Sequence, residues 1–126
     1  MSALRSLAEQ LRGEDTPISP YVIDPAPDAA FATAGDNAFV IEAVREGYCL
    51  HYGEPRLLAG HDEDLALLAG DYLYALGLDR LAALGDTKAV LVLADLISTC
   101  AQLHTEGRGD EVPGAWQGAV EAMTGP

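Results

Sequence analysis

A histidine followed by three acids, His61-Asp62-Glu63-Asp64, is the run in this chain whose residue types come closest to metal chemistry. On a first helical turn His61 and Asp64 would face one way and, with a donor from elsewhere, would suit a divalent ion. The same run also describes a solvated helix start, where the macrodipole favours acids, and that reading carries more weight. Cys49 and His51 are two apart and project to different sides of a helix, so they do not chelate together. Glu-x-x-His pairs of the di-iron bundles do not occur. His104 reads as a dipole partner near a helix C-terminus or as a half-buried core residue.

Asp71, between Gly70 and Tyr72, falls in a helix apolar on most sides and lies in line with Asp64. Buried there it would need a partner: Arg45, Arg56, Arg80, a hydroxyl, or a group on another protein. A structural hydrogen-bonding role is expected ahead of a catalytic one. Tyr48, Tyr72 and Tyr74 would either line an apolar pocket with their polar tips or pack in the core. The sequence has no Gly-rich phosphate loop, nucleophile elbow or dinucleotide fingerprint, so no self-contained active site is expected.

The elements that must position these residues are helices. The chain has 126 residues, one domain's worth; 49% are hydrophobic, mostly Ala and Leu, and only 6% are aromatic. Ala and Leu lose little rotamer freedom in a helix. The expected fold is an all-α bundle of about five helices in a single domain, residues 1–126. Ser2 caps a first helix through Arg12, stopped by Gly13. Residues 14–27 form a Pro-rich connector that lies across the core through Ile18, Tyr21, Val22 and Ile23. A second helix starts at Asp28 or Asp36 and ends at Tyr52. A third opens at His61 and runs to Leu84. It is apolar almost all round, which predicts a central position. Its Gly70 and Gly77 share one face and permit another backbone to approach, and a partner is expected there. A fourth helix is capped by Asp86 or Thr87 and reaches Glu106. A last one starts at Pro113, with Trp116 and Val120 inward.

Twenty acids against seven bases leave a formal charge of −13. That field repels phosphate backbones and anionic lipid, so nucleic-acid and membrane-surface roles are not expected. No apolar run approaches the length of a membrane span, and residues 1–14 hold no signal-like apolar core, so a cytoplasmic location is expected. Cys49 and Cys100 read as two buried thiols; a bridge is the alternative.

The stretch Leu65–Gly85, LALLAGDYLYALGLDRLAALG, resembles a segment of the trans-polyprenyl diphosphate synthases. In that family a helix reading approximately L-A-G-D-Y-L-L-A follows shortly after Gly-Lys-Pro. Gly70, Asp71, Tyr72, Leu73 and Ala75 match the helix, and Gly53-Glu54-Pro55 resembles the tripeptide. The resemblance spans about residues 40–107. Its departures carry the functional implication. Catalytic members hold an Asp-Asp-x-x-Asp motif upstream of Gly-Lys-Pro, where Mg²⁺ binds the allylic diphosphate. Here Val44–His51 contains no aspartate. The second aspartate-rich helix would lie past Pro126.

The resemblance therefore implies a small, non-catalytic subunit of a heteromeric hexaprenyl or heptaprenyl synthase, serving isoprenoid (quinone side-chain) biosynthesis. Its large catalytic partner would bind Mg²⁺; this chain would need no cofactor and would have no autonomous activity. Tyr48, Gly70, Asp71, Tyr72, Tyr74 and Gly77 are the expected interface or apolar-pocket residues. A helical structural or adaptor subunit of another assembly is the alternative, and self-association is compatible with both. A metal-dependent enzyme using His61 and Asp64 is the third reading.

Overall fold

The computed structural model describes residues 2–32 and 35–124. It is an all-α protein of five helices, with no strand among the described residues. The helices are α1 (Ala3–Gly13), α2 (Ala38–Tyr52), α3 (Glu63–Ala83), α4 (Thr87–Thr105) and α5 (Val112–Thr124). None is long and apolar enough to cross a membrane.

Local chemistry sets most of the helix ends. The Ser2 hydroxyl accepts from the Arg5 N–H at 3.2 Å, and Asp86 accepts from the Ala89 N–H at 3.1 Å, each occupying one orphan donor of a first turn. Asp62 does the same for Leu65 at 2.8 Å, so α3 begins after Asp62. His61 therefore lies outside the helix, and the shared first turn expected for His61 and Asp64 does not form. Gly85 (φ 75°) and Gly107 (φ 73°) close α3 and α4 in Schellman turns, with Asp86 N–H on Leu81 O and Arg108 N–H on Leu103 O. α2 starts two residues past Asp36. The earlier candidate start, Asp28, would run through 33–34, outside the described residues, and 28–32 are not helical.

The chain divides into two compact units, residues 1–77 and 78–126. In the first unit, Leu4, Leu7, Ala8 and Leu11 of α1 form a core with Ala43 and Leu50 of α2, and with Leu57, Leu58, Ala69 and Leu73. The connector is pinned as well as draped. Ile23 N–H donates to Leu57 O at 2.7 Å and Ala59 N–H to Tyr21 O at 3.0 Å, around an isolated antiparallel bridge between Val22 and Leu58. Ile18 is buried and Val22 half-buried, but Tyr21 and Ile23 are exposed. In the second unit α4 packs on α5. Leu93, Leu96, Cys100 and Leu103 are buried there with Val112, Trp116 and Ala119.

Within the first unit α2 is deeply enclosed. Ile41, Glu42, Ala43, Val44 and Glu46 are wholly enclosed. Although α3 is largely apolar, it leaves Leu67 and Leu68 of the first unit 53% and 67% exposed.

Candidate functional site

Of the residues singled out in the sequence, Gly70, Asp71, Tyr74, Gly77 and His51 meet at one crossing, where α3 runs antiparallel to α2. Gly47 and Gly70 set the closest approach: a Cβ on Gly47 would stand 2.8 Å from Gly70 O and 2.8 Å from the Tyr74 ring. A Cβ on Gly70 would land on the His51 ring and lie 3.0 Å from Gly47 O. Two turns on, a Cβ at Gly77 would meet Val44 Cγ2 at 2.7 Å and Val40 O at 3.3 Å. The backbone approach expected of Gly70 and Gly77 thus occurs within the chain. Their face is occupied by α2 and is not a free surface for a partner.

At the α2 C-terminal end of this crossing, His51 is half-buried against Tyr74, with ring centroids 5.2 Å apart. Its Nε2 lies 3.2 Å from Leu67 O and 3.2 Å from the Asp71 carboxylate. Both neighbours accept, so Nε2 carries the proton and is shared between them. Asp71 is not the buried aspartate the sequence predicts. Its side chain is 73% exposed, and its partner is a histidine rather than any of the arginines. An exposed carboxylate on an imidazole is a weak pair.

Tyr72 turns to the other side of α3, where its hydroxyl donates to Glu14 Oε1 at 2.8 Å and ties α3 to the end of α1. Partial burial, and then the Glu14 carboxylate, push the Tyr72 phenol up. Tyr48 stays on the α2 surface, 5.2 Å from Tyr52, with the Arg45 guanidinium 5.1 Å above its ring. The tyrosines therefore do not line a common pocket.

The most strongly organised polar cluster is one the sequence reading passed over. Glu42 and Glu46, one turn apart on α2, are both completely buried. Arg56, its side chain 13% exposed, bridges them: Nε donates to Glu46 Oε1 at 3.0 Å and one terminal nitrogen to Glu42 Oε1 at 2.9 Å. The backbone completes the cage. Glu46 Oε2 accepts from the N–H of Arg56 at 2.8 Å and of Leu57 at 2.9 Å, while Glu42 Oε2 accepts from Phe31 N–H at 2.8 Å. Arg56 also reaches the carbonyls of Ala29 (3.2 Å) and Glu42 (3.3 Å). Arg45 covers the outside, 4.7 Å over the Phe31 ring. Burial pushes the Glu46 carboxyl up, against the pull of Arg56 and the two N–H groups. The two carboxylates in turn hold the Arg56 guanidinium in its charged form. The available signal was a pair of glutamates at helical spacing, Glu42 and Glu46, in the largely apolar stretch Ala38–Leu50, which demands a buried cation.

Among the described residues no three His, Cys, Asp or Glu side chains are grouped so as to hold an ion. Cys49 and Cys100 are both free and buried, and burial raises the Cys49 thiol. In the second unit an open groove of about 370 Å³ separates Asp95, Leu96 and Thr99 of α4 from Gly114 and Gly118 of α5. No family model, curated protein or solved structure matches the chain.

Proposed function

We propose that the chain is a non-catalytic accessory subunit of a heteromeric polyprenyl diphosphate synthase, docking on a large subunit that carries the Mg²⁺-binding aspartates. The observation that carries this reading is the fate of Glu46. It is the only carboxylate in Val44–His51, the segment that resembles the position of the family's metal-binding motif. In the fold it is fully enclosed and saturated by Arg56 and Leu57. A carboxylate committed to a buried guanidinium is withdrawn from diphosphate-bound magnesium, which needs open oxygen ligands. The order of Gly53-Glu54-Pro55 before the Gly70-Asp71-Tyr72 helix supports the synthase side of the proposal. The exposed leucines of α3 support a role in assembly.

The test is purification from the native host, followed by assay with isopentenyl and farnesyl diphosphates and Mg²⁺. The expected result is a co-purifying synthase subunit that makes prenyl diphosphate with this chain and little without it. The chain alone is expected to be inactive. Turnover by the rigorously purified chain, or a partner unrelated to prenyl transfer, would overturn the reading.

A further inference from the structure

We propose that the outward stripe of α3 in the first unit is a docking surface for a basic amphipathic helix. Asp64, Leu67, Leu68 and Asp71 follow one another at helical spacing along that stripe. On the opposite side of α3, Gly70 and Gly77 meet α2, and Ala69 and Leu73 are in the core. Single exposed leucines are ordinary, but Leu67 and Leu68 are adjacent and expose 53% and 67% of their surface. Tyr52, exposed itself, stands beside this stripe: its ring centroid is 5.8 Å from that of His51, whose Nε2 lies 3.2 Å from Leu67 O. Glu63 and Asp64 stand at one end of the leucines and Asp71 at the other, all exposed. From Glu63 to Asp79 there is no lysine or arginine, and the group beside Asp71 is the His51 imidazole.

That pattern specifies its occupant. Two leucines bracketed by carboxylates about 10 Å apart along a helix are matched by apolar residues flanked by Lys or Arg two turns apart. A second copy of this chain is a poor occupant, because two molecules at −13 repel each other. Anionic lipid is repelled for the same reason. The proposal holds for any protein that presents such a helix, so it goes beyond the synthase reading and survives or fails separately from it.

The test uses the full-length chain, ¹⁵N-labelled, titrated with a designed Leu/Lys amphipathic peptide of about 18 residues and its Leu/Glu counterpart. Amide shifts are expected to concentrate at residues 63–72 and Tyr52 with the Lys peptide alone. Leu67→Ser/Leu68→Ser and Asp64→Asn/Asp71→Asn should each weaken binding by roughly tenfold or more. Leu91→Ser, which changes an equally exposed leucine of α4, should leave it unchanged. All these side chains are exposed, so circular dichroism should show the variants folded. Shifts scattered over acids throughout the chain or centred on the α4–α5 groove would overturn the proposal. So would equal binding of the Glu peptide, unaltered affinity in both double variants, or binding of zwitterionic vesicles instead of the peptide.

Discussion

Replacing Arg56 by Met removes the one positive charge that bridges Glu42 and Glu46 while keeping an unbranched apolar stem in its place. The side chain makes four hydrogen bonds: to Glu46 Oε1, Glu42 Oε1, Ala29 O and Glu42 O. Backbone donors remain for one oxygen of each carboxylate, but the charge does not. Two enclosed carboxylates without a counter-ion represent the costly case of a broken buried ion pair, for which about 3–5 kcal/mol is expected. Against a total stability of roughly 5–15 kcal/mol the variant stays folded, with a melting temperature lower by roughly 10–20 °C.

The pH response has a definite sign. In the parent, burial already raises the Glu46 carboxyl and Arg56 opposes that shift. Without the guanidinium only the backbone N–H groups oppose burial, so the folded-state value rises further above the unfolded one. A raised carboxyl contributes stability that is complete below its unfolded value, near 4.5, and is lost as pH climbs through the folded value. R56M should therefore be more stable relative to the parent at pH 5 than at pH 8. Glu42→Gln/Glu46→Gln added to R56M removes both charges yet leaves oxygens for the N–H groups of Phe31, Arg56 and Leu57, and should recover about half the loss or more. Urea denaturation across this pH range measures all of it. A cost for R56M below about 1 kcal/mol, or a triple variant no better than the single one, would refute the reading of Arg56 as the counter-charge of two buried carboxylates.

Glycines offer a paired comparison. Gly47→Ala would press a methyl into the Gly70 carbonyl and the Tyr74 ring and should cost about 1–3 kcal/mol, whereas Gly118→Ala points into open space and should stabilise α5 by up to about 1 kcal/mol; thermal melts of the two should shift in opposite directions. The buried Cys49 and Cys100 thiols should react with iodoacetamide only as fast as the protein opens, and fully in denaturant, as read by mass spectrometry; rapid labelling of Cys49 in the native state would contradict its burial.

By itself the sequence determined the helical class and nearly all the helix boundaries. Those are local matters: Ser2 and Asp86 occupy donors within their own first turns, and Gly85 and Gly107 adopt left-handed conformations that end α3 and α4. Composition likewise carried the charge balance and the absence of aspartate from Val44–His51. Which face of a helix is covered is not local. The apolar surround of α3 offered no direction, so Leu67, Leu68 and Asp71 face outward because Gly47 and Gly70 let α2 take the other side. Arg56 was a candidate partner for Asp71 by type alone. Tertiary structure sent it to Glu42 and Glu46, since two enclosed carboxylates need a counter-charge while an exposed aspartate has water.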